Sequence, residues 1–370
     1  MKQVIARRDW LKQTSLALAA STGFIPSLFN GESRTPPPAG PIRLHANENP
    51  YGPSPQARAA MAAAITASNR YPWDQTTVLR EKIAARYGLT QDAVLMGAGS
   101  SELLGLIASF AALKPGNMVC ATPTFNLWWT AAQQQGLQVA EVPLTAEKVH
   151  DLPAMVQQVN TNTRLVYVCN PNNPTGTIVD HAALTRFVTA ASQQALVLVD
   201  EAYLEYTDEP SLAPLLLNNK RLIIVKTFSK IYGLAGARIG YALAHPELTQ
   251  QLGRLQPWIN AGPSAVSVAG AIASLEDSGF VSSSRQQNAS ARAFTEAALK
   301  KAGLPFIPSN VNFLYYSLQS DQGNFLQKLA DHQIRVGKFV EEKARWARLT
   351  IGTQAEMVSF TQVLQQHFTT

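Results

Sequence analysis

The stretch LIIVKTFSKIYGLAGARIG spans residues 222–240 and places Lys230 shortly after an apolar run. The run LIIV (222–225) predicts a buried strand, and a Gly-rich apolar segment follows the lysine. A lysine with so few polar neighbours is paired with an acid, lies on the surface, or takes part in chemistry. The rest of the sequence helps to choose between these alternatives.

Apolar runs of the same kind recur along the chain and define the fold class. RLVYVCN (164–170) and ALVLVDE (195–201) are separated by a helical pattern, and DAVLMG (92–97) and NMVCAT (117–122) flank the helical run SELLGLIASFAAL (101–113). Strands that are apolar without alternation are typical of a mostly parallel sheet covered on both faces. We therefore predict an α/β fold with helices on both sides of a mostly parallel sheet.

The domain organisation follows from length and from a change of pattern. A chain of 370 residues, 46% of them hydrophobic, is long enough for two globular domains. After about residue 262, helical segments precede the strand-like runs NFLYYSL (312–318) and RLTIG (348–352). The predicted organisation is a signal peptide over 1–31, an N-terminal arm over 32–53, a large domain over 54–262 and a small α+β domain over 263–370.

The first 31 residues have the layout of an export signal, with a basic start, an apolar middle and small residues. The run RRDWLK (7–12) resembles the twin-arginine signal, although that pattern prefers phenylalanine where Trp10 stands. An ordinary secretory leader or a membrane anchor is the alternative. Because Thr22, Gly23 and Pro26 interrupt the apolar run, we expect no stable membrane span. We expect a periplasmic protein exported by the twin-arginine route.

Charge and cysteine content exclude two other classes of function. The formal net charge is +6, and the basic leader supplies part of it, so the remaining chain is close to neutral and does not indicate nucleic-acid binding. Cys120 and Cys169 lie in strand-like runs, which favours buried free thiols over a disulfide. Their spacing suits no metal site, and we assign none.

Polar groups follow three of the predicted strands. NPNNPTG (170–176) ends the first, DEAY (200–203) the second and TFSK (227–230) the third, with Arg238 eight residues further on. Upstream, GAGSS (97–101) joins a strand to a helix. Taken singly, these are explained by turns, caps or surface charges. Since the carboxyl ends of parallel strands meet at one edge of a sheet, we expect them to converge.

Together these groups fit one cofactor. The helix start at Ser100 and Ser101, with Thr227, Ser229 and Arg238, suits a phosphate. The two glycines before that helix also suggest a dinucleotide fingerprint, but a glutamate stands where the third small residue is required.

The remaining groups suit an aromatic ring and an aldehyde. The carboxylate of Asp200 suits a protonated ring nitrogen, Tyr203 and Asn173 suit a ring hydroxyl oxygen, and the amine of Lys230 suits an aldehyde. Pyridoxal phosphate is the common cofactor that uses all of them.

The motifs also resemble a known family over residues 42–353. The chain is similar to the fold-type-I aminotransferases of class I/II, in particular the histidinol-phosphate aminotransferase group. The matching stretches are NENPYG (47–52), RYP (70–72), GAGSSE (97–102), NPNNPTG (170–176), VDEAYLEY (199–206), TFSKIYGLAGARIGY (227–241), SNVNFL (309–314) and ARLTIGT (347–353). The resemblance implies a seven-stranded, mostly parallel sheet, pyridoxal phosphate and a homodimer.

The resemblance also implies roles for single residues. Lys230 forms the Schiff base with the cofactor and, once freed, serves as the base. The other cofactor residues that it implies are Ser100, Ser101, Asn173, Asp200, Tyr203, Thr227, Ser229 and Arg238.

Five further residues complete the site that the resemblance implies. Trp128 stacks on the cofactor ring where the family usually has tyrosine, and Tyr71 reaches the phosphate of the partner subunit's cofactor. Arg348 binds the substrate α-carboxylate, with Asn47 and Tyr51 beside the substrate. A surface position is the alternative for Arg348.

The amino donor is open at this stage. The family holds a substrate phosphate with the arginine of a Gly-Ile-x-Val-Arg segment, and Gly337 stands at that position, with Arg335 and Lys338 nearby. We expect a transaminase acting on histidinol phosphate or on an aromatic or related amino acid, with a 2-oxo acid such as 2-oxoglutarate as the second substrate. A threonine-phosphate decarboxylase-like enzyme is the alternative.

Two more distant alternatives explain the residues less well. A periplasmic solute-binding protein accounts for export and size but not for Lys230 together with Asp200. A penicillin-binding enzyme would use Thr227 and Lys230, yet the Ser-Asp-Asn and Lys-Thr-Gly elements are missing from the sequence.

Overall fold

A seven-stranded sheet lies at the centre of the larger body of the protein. The computed structural model describes residues 40–126, 128–318, 322–337, 339–341 and 346–368. In order across the sheet the strands are β2 (Val94–Gly97), β8 (Gly240–Ala244), β7 (Leu222–Thr227), β6 (Leu196–Asp200), β5 (Thr163–Cys169), β3 (Gly116–Thr122) and β4 (Leu137–Pro143). β8 runs antiparallel to both neighbours, and the remaining pairs are parallel. The prediction of a mostly parallel α/β sheet is confirmed.

Helices cover both faces of this sheet, which explains why its strands are apolar without alternation. One face packs against α2 (Trp73–Ala85), α5 (Leu152–Gln158), α6 (His181–Ala191) and α8 (Ala265–Glu276). The other packs against α3 (Ser100–Ala111), α4 (Trp129–Gln134) and α7 (Pro246–Gly253). Adjacent residues of one strand contribute to opposite cores, as Val166 and Tyr167 of β5 do.

A second, smaller body is built on an antiparallel sheet. Its strands are, in order, β12 (Phe339–Glu341), β13 (Trp346–Thr350), β10 (Phe313–Ser317) and β9 (Phe306–Ile307). The helices that share its core are α9 (Ser278–Lys301), α10 (Gln322–Asp331) and α11 (Gln354–Phe368). The core of this body includes Leu314 and Tyr316, which are fully buried.

Elements that precede the large sheet in the chain pack against elements from its C-terminal part. β1 (Ile42–Leu44) pairs in parallel with β11 (Ile334–Val336), and α1 (Pro55–Ala64) packs on α8. α8 follows residue 262 in the sequence and packs in the core of the large sheet. The predicted domain boundary at 262/263 stays a prediction.

Several expectations concern segments or features outside this architecture. The signal peptide over 1–31, the first part of the arm and Lys338 lie outside the described residues. Within the described part, no helix is both long enough and apolar enough for a membrane span. Cys120 and Cys169 are free and buried, as the strand pattern predicted.

Candidate active site

A cavity of about 400 Å³ opens at the carboxyl ends of β5, β6 and β7. These strands are neighbours in the sheet, so Cys169, Asp200 and Thr227 lie side by side at its floor. The predicted site residues in its wall are Asn47, Ser100, Ser101, Asn173, Asp200, Tyr203, Thr227, Ser229, Lys230, Arg238 and Arg348. The convergence expected from the strand ends is therefore present.

Lys230 projects into this cavity from the loop after β7. Its Nζ donates to the carbonyl oxygen of Ala46 at 3.4 Å and lies 5.3 Å from the centroid of the Tyr203 ring. Burial, followed by the charge of Arg348, lowers the pKa of Lys230 to about 8. The amine therefore loses its proton much more readily than an exposed lysine, as a nucleophile that attacks an aldehyde requires.

The neighbouring lysine of the same stretch has the opposite environment. Lys226 is buried on β7, and its Nζ lies 2.9 Å from carboxylate oxygens of both Glu201 and Glu205. Glu201 also accepts from the hydroxyl of Ser211 at 2.7 Å and from the backbone N–H of Leu212 at 3.0 Å. Lys226 is thus the ion-paired lysine of the stretch, and it ties the ends of β6 and β7 together.

Asp200 ends β6 with its carboxylate fully enclosed. Oδ1 accepts from the backbone N–H of Ala202 at 3.0 Å, and Oδ2 accepts from the hydroxyl of Tyr167 at 3.2 Å. Burial raises the pKa of Asp200 to about 6, against the two hydrogen bonds and the charge of Lys230, which lower it. Such a carboxylate is held in place to pair with a cation, such as a protonated pyridine nitrogen.

A chain of hydrogen bonds connects the phenol of Tyr203 with Arg348. The Tyr203 hydroxyl accepts from Nδ2 of Asn47 at 3.0 Å and from Nδ2 of Asn173 at 3.4 Å. Oδ1 of Asn173 accepts from Nη1 of Arg348 at 2.8 Å, and the carbonyl oxygen of His45 accepts from Nη2 at 2.9 Å. The largely buried guanidinium is oriented in the cavity wall, so the surface alternative for Arg348 is wrong.

The opposite end of the cavity forms an anion cradle. α3 begins after Gly99, which has a φ of 86°. No side chain caps the first N–H groups of this helix, so they are available to an anion. A Cβ atom at Gly99 would lie 2.4 Å from Nη2 of Arg238, so only glycine lets the guanidinium pack on this turn. Ser229 lies beside them, its hydroxyl accepting from Oγ1 of Thr227 at 2.9 Å. Helix start, hydroxyls and guanidinium suit a phosphate.

Three predicted site residues lie outside the cavity wall. Trp128 is buried and meets the edge of the Tyr167 ring, with the centroids 4.9 Å apart. Within the same PTFNLW stretch it is Phe125 that lines the cavity, so the geometry favours Phe125 over Trp128 as the residue that stacks on the cofactor ring. Tyr71 is 68% exposed, and Tyr51 is half-buried next to the site.

The structure also adds residues that sequence reasoning missed. Tyr167 lies inside an apolar strand, and its contact with Asp200 has no sequence signal beyond its position near the strand end. Glu48, within the NENPYG motif, and His45, two residues before that motif, also line the cavity. Glu102, which argued against a dinucleotide fingerprint, accepts from the N–H of Ala98 at 2.5 Å and so fixes the cradle loop.

The fold and this donor set together define a pyridoxal-phosphate enzyme of fold type I. The pattern of the family "Aminotransferase class I and II" matches residues 39–364, and the chain belongs to this family. It is 36% identical over 332 residues to the histidinol-phosphate aminotransferase of Moorella thermoacetica, covering 88% of this chain and 85% of that protein. It is also 36% identical over 323 residues to the aromatic amino acid aminotransferase of Mycolicibacterium paratuberculosis, covering 86% and 89%.

Solved structures agree with the cofactor assignment. The histidinol-phosphate aminotransferase of Sinorhizobium meliloti in complex with pyridoxal-5'-phosphate superposes with a TM-score of 0.80 at 26% identity, covering 92% of this chain and 99% of that one. The L-threonine-O-3-phosphate decarboxylase of Porphyromonas gingivalis shares the fold, with a TM-score of 0.76 at 19% identity, covering 89% and 100%. The protein is a pyridoxal-phosphate-dependent aminotransferase.

Proposed function

We propose that this aminotransferase moves an amino group from histidinol phosphate or an aromatic or related amino acid to a 2-oxo acid such as 2-oxoglutarate. The observation that supports the proposal is the convergence of Lys230, Asp200, Tyr203 and Arg348 on one cavity with a phosphate cradle at its end. When bound, pyridoxal phosphate supplies an aldehyde that exchanges amines and a ring that accepts electrons.

The residues of the chain then perform distinct steps. With the cofactor bound, Lys230 would hold its aldehyde carbon, and once a substrate amine had displaced the lysine, the free Nζ would take up the proton that leaves the substrate α-carbon. Its lowered pKa makes it a base of suitable strength near neutral pH. Asp200 would pair with the ring nitrogen, while Tyr203 and Asn173 would hold the ring oxygen. Arg348 orients the substrate by a two-pronged bond to its carboxylate.

The surroundings of Gly337 favour a donor with an aromatic side chain over a phosphorylated one. A Cβ atom at Gly337 would lie 2.7 Å from the carbonyl oxygen of Arg348, so the backbone here leaves no room for the family's phosphate-binding arginine. Arg335 is exposed on β11. The similarity to the aromatic amino acid aminotransferase of Mycolicibacterium paratuberculosis supports a donor with an aromatic side chain.

Purified protein tests the cofactor site directly. We expect a yellow protein from which borohydride traps the cofactor covalently on Lys230, and a Lys230→Ala variant that folds but traps none. Amino donors offered with 2-oxoglutarate then rank the substrates. A wide preference for histidinol phosphate would contradict the argument from Gly337, and release of CO₂ from threonine phosphate would favour the decarboxylase-like alternative.

We also propose a homodimer, supported by an exposed aromatic cluster near the predicted intersubunit tyrosine. Tyr71 stacks on Trp73 with the centroids 5.0 Å apart, and Trp258, which is 56% exposed, lies 4.7 Å from Trp73. Exposed aromatic patches of this kind mark interfaces. Sedimentation of wild type and of a Trp73→Ala/Trp258→Ala double variant tests this, since a monomeric wild type would contradict it.

The location is a separate proposal that rests on the leader sequence. We propose export to the periplasm by the twin-arginine route, which moves folded proteins and so suits an enzyme that binds its cofactor before export. Cell fractionation of the full chain and of an Arg7→Lys/Arg8→Lys variant tests it. Equal cytoplasmic retention of both would refute the proposal.

A further inference from the structure

Tyr167 is a buried group beside Asp200 that the proposed mechanism does not use. Its side chain is fully buried on β5, two residues before the cavity-lining Cys169. Its hydroxyl donates to Oδ2 of Asp200 at 3.2 Å, on the strand next to its own. A buried hydroxyl in this position acts on the site through Asp200 and not by touching substrate.

The Asp200 carboxylate has two fixed hydrogen-bond donors, one for each oxygen. The N–H of Ala202 holds Oδ1 at 3.0 Å, and the Tyr167 hydroxyl holds Oδ2. The first donor is a backbone N–H group and does not depend on a side chain. The second depends on one side chain and is therefore the one that evolution or a mutation can change.

The phenol is a constant donor in this setting. Burial raises the pKa of Tyr167 well above its usual range, so the hydroxyl keeps its proton at any pH at which the enzyme works. The other charges that act on Asp200 are those of Lys230, which favours its ionised form, and Glu201, which opposes it. Burial favours the neutral acid, and the two donated hydrogen bonds, together with the charge of Lys230, favour the ionised form of Asp200.

We propose that Tyr167 is a positioning residue, whose hydrogen bond to Oδ2 fixes the Asp200 carboxylate for pairing with the ring nitrogen of the bound cofactor. The inference rests on the proposed role of Asp200. A carboxylate that is turned or protonated pairs poorly with the nitrogen, and the ring then accepts electrons less well. Phenylalanine at 167 keeps the ring contact with Trp128 and removes the hydroxyl, and with it the hydrogen bond to Asp200 and the interactions of the hydroxyl with the Cys169 and Trp128 side chains.

The test compares Tyr167→Phe with wild type, with Asp200→Asn, and with Tyr316→Phe as matched control. Tyr316 is a fully buried tyrosine in the core of the small sheet, away from the cavity. We expect Tyr167→Phe to lower kcat of the half-reaction with L-glutamate about 10- to 100-fold, the range for losing a hydrogen bond to a charged group. KM changes less than about threefold, because Arg348 is untouched.

Two readouts that do not depend on turnover separate positioning from a general structural role. Titration of apoprotein with pyridoxal phosphate, followed by tryptophan fluorescence, should show about tenfold weaker binding in Tyr167→Phe. A carbocyclic analogue without the ring nitrogen should bind wild type and Tyr167→Phe equally. The visible absorption band of the bound cofactor should titrate at a higher pH in the variant. A cofactor ring whose nitrogen is less fully protonated withdraws fewer electrons from the nitrogen atom that links it to Lys230.

The outcomes distinguish this inference from the function on which it rests. If Asp200→Asn changes all readouts and Tyr167→Phe none, the inference is overturned and the proposed function stands. If Asp200→Asn also changes none, the proposed role of Asp200 fails. A Tyr167→Phe variant that loses equal affinity for the analogue overturns the inference as well, since the defect is then structural. If the phenylalanine variant does not fold, Tyr167→Leu, which also removes the ring contact with Trp128, is judged by the same difference between binding of the cofactor and binding of the analogue.

Discussion

Replacing Arg348 by methionine tests the substrate-binding side of the cavity. The two guanidinium nitrogens that Asn173 and His45 hold leave the group oriented for a two-pronged bond with a carboxylate. Hydrogen bonds to charged groups contribute about 1.5–3 kcal/mol each, so losing both costs about 3–6 kcal/mol. At about 1.4 kcal/mol per tenfold, kcat/KM for L-glutamate should fall by about 10²- to 10⁴-fold.

The same change should leave the fold intact. Burial lowers the pKa of Arg348, which means that the folded protein holds this charge at a cost. Methionine removes the buried charge and keeps an unbranched apolar stem, but it also leaves Oδ1 of Asn173 and the carbonyl oxygen of His45 without their donor. These effects on stability oppose each other, so the melting temperature of the apoprotein should change much less than the affinity for substrate.

The assay is the single-turnover reaction of the loaded enzyme with L-glutamate, followed by the absorbance of the cofactor. Arg348→Lys should fall between wild type and Arg348→Met, because lysine keeps the charge but loses the planar fork. Arg335→Met, on the exposed side of β11, serves as the control and should react as wild type does. A loss below tenfold in Arg348→Met, or a loss that accompanies unfolding, would refute the reasoning.

Three further predictions concern the phosphate cradle, the aromatic wall of the cavity and a buried histidine. Gly99→Ala places a Cβ atom against the Arg238 guanidinium at a positive φ, and it should weaken cofactor binding at least tenfold in a fluorescence titration. Phe125→Ala should weaken binding more than Trp128→Phe in the same titration, and the reverse order would restore Trp128 as the stacking residue. Burial lowers the pKa of His150 to about 4, so between about pH 6.5 and pH 4 the unfolded chain binds more protons. Stability of the apoprotein should therefore fall as pH drops through that window, and urea unfolding at pH 7 and 4.5 should show a smaller loss in His150→Gln.

Much of the site was predictable because its residues end strands or begin a helix. Asp200 and Lys230 follow apolar runs whose parallel order brings their ends to one edge, and this needs no knowledge of side-chain orientation. The cradle at Ser100 follows from a glycine pair before a helix. These features depend on backbone geometry, which short sequence patterns describe well.

Side-chain direction is what the sequence did not supply. Phe125 and Trp128 are three residues apart in a loop that leads into α4, and no periodicity indicates which of them faces the cavity. Tyr167 lies in a strand buried on both faces, where an apolar run hides the one hydroxyl that contacts Asp200. The resemblance transferred a position without its orientation, which is why it pointed to Trp128, whereas Phe125 is the residue of this stretch that lines the cavity.

The two lysines of the opening stretch show why residue type and burial alone do not determine function. Burial by itself lowers the pKa of both, yet at Lys226 the charges of Glu205 and Glu201 outweigh it and raise the pKa well above its usual range. At Lys230 the largest effect of a charge on the pKa is that of Arg348, which acts in the same direction as burial and outweighs the opposing effect of Asp200. Four residues apart on one strand and its loop, one lysine is therefore fixed as a cation that joins β6 to β7, while the other is free to lose its proton and attack an aldehyde. Glu201, one of the two acids of this ion pair, directly follows Asp200, so adjacent residues at the end of β6 supply a partner for Lys226 and the partner proposed for the cofactor ring.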